Sequence, residues 1–461
     1  MFSTIFPYKI SFKEENSMSN PNSALISFRF ENVHSYRDEF IFSMAATRLA
    51  EKHVPREFPT TQAKPTKILP AAGIYGANAS GKTNFLQAMD DMRRFVLRPL
   101  ETVRRPIRRK PFLLEPETAK KPSHFRVDLL IDGVIWLYGF ALDDEKIHSE
   151  FAYHYPKGRQ ALLFEREGES IRFGPSFRTA GKQLQKVTRA DNLLLSMSGF
   201  CDYETLAPLY GWFRNNLFLA DSSNLEERSL FTAHLLTQES SRKRVLQLLA
   251  AADLGVADAV MRFEQLPPKL AESLQQVLHS LEGYEPYDGA EKWNGMEAPQ
   301  LKLQDLLKLS HATQNGPVTL KLEDESKGTL AWFGLVGKLI DAFEHGRVLL
   351  VDELDTSLHP NLVQEIVSMF QEEDINRRFA QLIFNTHDTV LLGDSSIRTL
   401  GRDQIWLVEK GEDGASEMFA VADFKTRNDE AMEFQYRTGS YGAAPNLSLS
   451  DLYFGVLPAV Q

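Results

Sequence analysis

Two stretches of this chain carry residues that could do phosphate chemistry. Gly76-Ala77-Asn78-Ala79-Ser80-Gly81-Lys82-Thr83 has the spacing G-x-x-x-x-G-K-[ST]. In that pattern the glycines let the backbone curl without a Cβ clash, and N–H groups at a helix start face an anion. Lys82 brings a point charge to the β- and γ-phosphates, and the Thr83 hydroxyl is a ligand for Mg²⁺. Asn78 and Ser80 are candidates for further phosphate contacts. Far along the chain, Arg347-Val348-Leu349-Leu350-Val351-Asp352-Glu353 is an apolar run that ends in two carboxylates. Asp352 can hold Mg²⁺ through water, and Glu353 can orient or deprotonate an attacking water. The expectation is a site that grips ATP with Mg²⁺ and can split it.

Two weaker signals point the same way. Gln381-Leu382-Ile383-Phe384-Asn385-Thr386-His387-Asp388 reads as a buried strand with a histidine just beyond its end. A lone histidine is more often structural, but one placed after a strand that follows an Asp-Glu strand suggests a γ-phosphate sensor. Glu325-Ser326-Lys327-Gly328-Thr329 precedes a helical stretch over 330–343. Alone it is an ordinary N-cap; in the order loop, cap, Asp-Glu strand, His it reads as a second anion-binding cap.

Positioning these groups requires particular elements. Residues 68–75 form a short apolar run ending at Gly76, and Phe85, Leu86, Ala88, Met89 and Met92 recur at helical spacing after Thr83. The phosphate loop therefore joins a strand to a helix. Residues 348–351 suit a central parallel strand covered on both faces, and Pro360 opens a following helix. Ile26, Phe28 and Phe30 alternate with polar residues, and Phe40, Phe42 and Met44 suggest the return strand. Two alternating runs flank Asp132-Gly133, a strong hairpin signal. Further strands are expected over 151–155, 161–165, 404–409 and 417–421. Residues 205–309 turn helical and charge-rich, with a loop over 282–300.

The order of these parts resembles an ATP-binding-cassette head of the SMC-like branch. More closely, the chain resembles AAA-family ATP-binding proteins of the RloA and AbiLi type, found in bacterial anti-phage and abortive-infection loci. The carriers are Phe28-Arg29-Phe30-Glu31-Asn32-Val33-His34-Ser35-Tyr36, the loop from Tyr75 through Asn84, the Ser326 cap, the run from Val351 to Pro360, Asn385-Thr386-His387-Asp388 and Tyr441-Gly442-Ala443-Ala444-Pro445. The resemblance implies an α/β ABC/SMC-like P-loop ATPase head with a β-rich N-terminal lobe and a helical insertion. It makes Lys82 and Thr83 the Walker A pair and Asp352 and Glu353 the Walker B pair. It makes Asp355 the D-loop aspartate, His387 the switch histidine, and Ser326 with Gly328 a degenerate signature. The nucleotide site then comprises Gly76, Asn78, Ser80, Gly81, Lys82, Thr83, Asn84, Ser326, Gly328 and Asp355, with Glu353 and His387 catalytic and Thr83 and Asp352 on the metal. By the same analogy Arg29, Asn32 and Ser35 either approach the nucleotide or shape a strand turn. Gln183 and Gln185 are possible Q-loop residues, although the region 191–200 suits that loop better and contains no glutamine. In such heads one subunit's signature closes over ATP held by another, which implies at least a homodimer.

The implied division is an N-terminal extension over 1–22, an ATPase lobe over 23–200, a helical insertion over 201–315, a second ATPase lobe over 316–425 and a tail over 426–461. Residues 1–16 lack the features of a signal peptide, and Met18 is an alternative start. The chain has 461 residues, 43% of them hydrophobic and 25% charged, as ordinary soluble proteins do. No run is long enough to span a bilayer. The single cysteine, Cys201, suits a reducing cytoplasm. A net charge of −10 argues against a protein that coats DNA. Arg93, Arg94, Arg98, Arg104, Arg105, Arg108, Arg109 and Lys110 nevertheless cluster, as a nucleic-acid or acidic-partner patch or as a solvated face. After His387 the chain offers no carboxylate cluster with room for a TOPRIM nuclease module of the kind found in overcoming-lysogeny-defect proteins. A separate effector, TOPRIM-like or another nuclease, with a phage protein or nucleic acid as trigger, is the partner expected. A RecF/SMC-like DNA repair ATPase is the alternative.

Overall fold

Strands buried on both faces need neighbours on both sides, and this chain supplies several to one sheet. The computed structural model describes residues 23–48, 54–61, 65–98, 106–201, 203–261, 307–393, 399–424 and 432–444. The core sheet has six strands in the order Leu217–Ala220, Val348–Val351, Gln381–Asn385, Ala71–Gly76, Ile405–Lys410, Ser416–Ala420. The first five are parallel and the last pairs antiparallel at the edge. Parallel strands end at one edge of a sheet, so the loops after Gly76, Val351 and Asn385 open together. The strand Gln381–Asn385 lies between the phosphate-loop strand and the Asp-Glu strand. That order brings distant segments of sequence to one cleft.

Alternate residues of these strands feed two cores. Ala72, Ile74, Leu350 and Ile383 belong to one, and Ala71, Tyr75, Leu349, Phe384 and Leu407 to the other. On the first face lies the helix Lys82–Val96 and, beyond it, a seven-stranded sheet. That sheet runs Ser170–Phe173, Ala161–Glu167, Ile147–His154, Val134–Leu142, Ser123–Ile131, Ala24–Glu31, Phe40–Ser43, antiparallel throughout. Phe85 of the helix packs its ring against Phe28, Phe30 and Phe42 at centroid distances of 6.3, 6.0 and 5.0 Å. Truncating such a buried ring costs about 3–5 kcal/mol. The hairpin at Asp132-Gly133 forms as expected, with φ of 51° and 75°, both left-handed, as its two-residue turn requires.

The helices Leu225–Thr237, Glu239–Ala251, Lys327–His345 and Pro360–Gln371 build the second core. Thr232 Oγ1 accepts from the Gly337 N–H at 3.1 Å, and Trp332 Nε1 donates to the Leu248 carbonyl at 2.9 Å. The long helix Lys327–His345 is thereby clamped to the two helices before it.

The stretch expected to be a helical insertion over 201–315 is not wholly helical. Leu217–Ala220 is an edge of the core sheet, and Val256–Met261 and Leu307–His311 join Val318–Lys321 in a three-stranded sheet. Four apolar residues are too few to display a period, so Leu217–Ala220 merged with the helices around it. The expected extension over 1–22 and the loop over 282–300 lie outside the described residues.

Candidate functional site

The phosphate loop is held open by its neighbours. Gly81 has φ 120°, and a Cβ there would stand 2.3 Å from Ser416 Oγ and 2.8 Å from Ser35 Oγ. The Ser416 hydroxyl donates to the Ser80 carbonyl at 2.5 Å and lies 2.7 Å from the Ser35 hydroxyl. Asn84 Nδ2 donates to Ser35 Oγ at 2.8 Å, and the Tyr36 hydroxyl donates to the Gly81 carbonyl at 3.2 Å. Lys82 Nζ donates to the carbonyls of Gly76 and Ala77, both at 2.9 Å. Burial pushes its pKa down, against the opposing charges of Glu353, Asp352 and Asp355. Asn78 is exposed at the loop tip, and the Ser80 hydroxyl is buried with no hydrogen-bond partner among the described residues. A glycine-lined loop with a lysine ammonium held across its mouth by two loop carbonyls and an unsatisfied hydroxyl is the chemistry a polyphosphate needs.

Opposite the loop, the two carboxylates meet the strand between them. The Thr83 hydroxyl donates to Asp352 Oδ1 at 2.8 Å, and Asn385 Nδ2 donates to the same oxygen at 2.5 Å. Asn385 Oδ1 accepts from the Glu353 N–H, and its own carbonyl accepts from the Leu354 N–H at 3.1 Å. Glu353 has φ 53°, an uncommon conformation for a residue with a Cβ. Its carboxylate accepts from Thr356 Oγ1 at 3.0 Å and is exposed to the cleft. Burial raises the Asp352 pKa against the hydrogen bonds from Thr83 and Asn385, and the charges of Glu353 and Asp221 raise it further. Hard oxygen donors with surplus negative charge fit Mg²⁺.

His387 stands two residues beyond Asn385 with an exposed ring. Its N–H is shared between both Asp355 oxygens at 3.3 Å. Ser326 caps its helix by accepting from the Thr329 N–H at 3.0 Å. A Cβ at Gly328 would lie 2.7 Å from the Ser357 carbonyl, so the cap rests on the turn that follows the carboxylate pair. Among the described residues no hydrogen bond joins Ser326 or Gly328 to the loop of the same chain. Thus hydrogen bonds and charge proximity bring together the loop, both carboxylates, Asp355 and the His387 backbone, and the cap reaches this group through the Ser357 turn.

Sequence reasoning assigned no role to Asn385, Ser416 or Tyr436. A polar residue closing an apolar strand was the available signal for Asn385. Nothing local marks Ser416. Tyr436, on the helix Met432–Arg437, packs its ring 5.8 Å from that of Tyr75, beside the start of the phosphate loop. Asn32 is a scaffold residue: it donates to the carbonyls of Thr118 and Lys121, both at 2.8 Å, and accepts from the Phe112 N–H at 2.9 Å. Its φ of 56° marks a tight turn, so it shapes the chain rather than reaching a nucleotide. Gln183 and Gln185 lie on the helix Arg178–Gln185, exposed. The basic cluster is smaller than its sequence suggests. Arg93 and Arg109 are buried, Arg93 donating to the Phe213 carbonyl and Arg109 to Lys121, Ala119 and Asp144. Arg104 and Arg105 lie outside the described residues.

Residues 71–393 match the family described as “AAA domain, putative AbiEii toxin, Type IV TA system”. No curated protein matches the chain. Among solved structures, an SMC head bound to the C-terminal winged-helix domain of ScpA is 13% identical, with a TM-score of 0.39, covering 86% of this chain and 97% of that one. The SMC head domain of Thermotoga maritima is 11% identical, TM-score 0.35, covering 86% and 98%. An SMC head from Pyrococcus furiosus with an extended coiled coil, bound to the C-terminal domain of ScpA, is 14% identical, TM-score 0.35, covering 86% and 96%. No helix among the described residues is long and apolar enough to cross a membrane.

Proposed function

We propose, from the premise that this chain belongs to that AAA-domain family, that it is an ATP-hydrolysing switch. The observation that carries the reading is the junction of Thr83, Asp352 and Asn385 beside Lys82. Backbone N–H groups of residues 78–83, the Lys82 ammonium and the Ser80 hydroxyl bind the polyphosphate. Thr83 and Asp352 hold Mg²⁺, which supplies positive charge to the phosphate oxygens. Glu353 orients and deprotonates the attacking water, and His387 reads the γ-phosphate from the end of the neighbouring strand. Asp355 steadies the His387 backbone.

We infer further that two copies pair, each lending Ser326 and Gly328 to the other's ATP. The placement of the cap on the Ser357 turn, unbonded to its own loop, supports this composite site. ATP then joins two heads and hydrolysis parts them. The biological setting that fits is cytoplasmic anti-phage defence of the abortive-infection type, with a separate nuclease-like effector and a phage trigger. The family description supports that setting. A DNA-clamping repair role is less well supported, because Arg93 and Arg109 are spent on internal carbonyls.

The test is ATP turnover by purified wild type, Lys82→Ala and Glu353→Gln. Turnover in the wild type and its loss in both variants, with ATP still bound by Glu353→Gln, is expected. Wild-type rates in both variants would end this account of the site.

A further inference from the structure

We propose that Asn385 is a positioning residue for hydrolysis, holding the metal carboxylate with one end of its amide and the base with the other. The inference rests on the ATPase reading above. Asn385 is fully buried, and both ends of its side chain are spent on the site. Nδ2 donates to Asp352 Oδ1 at 2.5 Å and lies 3.5 Å from the Thr83 hydroxyl. Oδ1 accepts from the Glu353 N–H. Only one orientation of the amide works, because a carboxylate needs a donor and an N–H needs an acceptor.

The acceptor end matters for the base. Glu353 sits at φ 53°, where a residue with a Cβ persists only when its surroundings impose it. Asn385 provides two of the constraints, through its amide oxygen to Glu353 and its backbone carbonyl to Leu354. Releasing the Glu353 peptide toward ordinary φ would swing its carboxylate away from the cleft. The donor end matters for the metal: it fixes the Asp352 oxygen that faces Thr83, so both metal ligands are aimed before any ion arrives. A hydrophobic or purely scaffolding residue here would fill the space and do neither.

The experiment compares wild type, Lys82→Ala, Asn385→Ala, Asn385→Asp and Asn376→Ala in steady-state ATP hydrolysis, with Mg²⁺ titrated. Asn376 is also fully buried, its amide spent on Phe370 and Ala380 away from the site, and serves as the structural control. Asn385→Ala is expected to lower kcat by roughly a hundredfold with KM for ATP within about twofold, as misplacement of a catalytic group does. It should also raise the Mg²⁺ concentration needed for half-maximal turnover. Asn376→Ala should lower stability and leave kcat, KM and the Mg²⁺ requirement in place. Should Asn385→Ala fail to fold, Asn385→Asp decides, since it keeps the size and the acceptor for Glu353 but turns a carboxylate toward Asp352. Wild-type kcat and Mg²⁺ dependence in whichever folded Asn385 variant is measured overturns the proposal. Turnover that survives Lys82→Ala instead refutes the ATP-site reading and leaves Asn385 a structural residue.

Discussion

The Thr83 hydroxyl donates to the Asp352 carboxylate at 2.8 Å across 269 residues of sequence. That one bond joins the start of the phosphate-loop helix to the end of the carboxylate strand. A metal ion entering the site would meet two ligands already side by side.

Thr83→Ala and Asp352→Asn are therefore expected to abolish the Mg²⁺-dependent part of ATP binding while sparing binding in EDTA. Equilibrium titration of labelled ATP, with and without Mg²⁺, separates the two. An unchanged Mg²⁺ effect in both variants would show that the ion binds elsewhere.

Gly81→Ala places a methyl group 2.3 Å from Ser416 Oγ at φ 120°. Steric conflict plus left-handed backbone should destabilise the protein by about 2–4 kcal/mol. Urea unfolding measures this. Ser416→Ala, which removes only the hydroxyl bonds, should cost about 1–2 kcal/mol. Equal losses in the two variants would mean that the loop's shape does not depend on this glycine.

Gly328→Ala would bring a methyl group within 2.7 Å of the Ser357 carbonyl, displacing the cap from its turn. ATP binding to a single copy should survive, and ATP-induced pairing should weaken. Light scattering of Gly328→Ala in a Glu353→Gln background, with ATP, reads this out. Pairing as tight as in Glu353→Gln alone removes the cap from the interface.

Stability should also fall at acid pH through Asp341. Burial alone would raise its carboxyl, but Arg347, His345 and Lys338 hold it below the usual carboxylate range. A folded value below the unfolded one means that its contribution is complete above the ordinary carboxylate range. It is lost as pH falls through the lowered folded value. Asp341→Asn should remove that acid dependence and cost about 3 kcal/mol at neutral pH, since it leaves the Arg347 guanidinium buried without its counter-ion. Denaturant melts across pH report both effects.

Much of the site was legible because its chemistry is local. The loop's spacing, the apolar run ending at Asp352 and the histidine after a strand are each contained in a few residues. Their support is not. Ser416 and Ser35 meet because the edge strand Ser416–Ala420, paired with Ile405–Lys410, starts at the phosphate loop, and nothing in the sequence around Ser416 announces it. Leu217–Ala220 was lost among helices because four residues carry no period. For Asn32 the motif leaves a nucleotide contact and a strand turn both open, and its amide is spent on the distant segment at Phe112, Thr118 and Lys121. The arginine cluster misled in the same way, since sequence counts charge and cannot see which guanidinium is turned inward.

The rest of Gly328 against the Ser357 carbonyl has a mechanical consequence. In a pair of heads, whatever nudges one copy's cap also nudges the segment carrying that copy's own Asp355, and through it the His387 backbone. The two nucleotides would then sense each other without a separate messenger, and by reciprocity the loss of one must loosen the grip on the other by the same free energy.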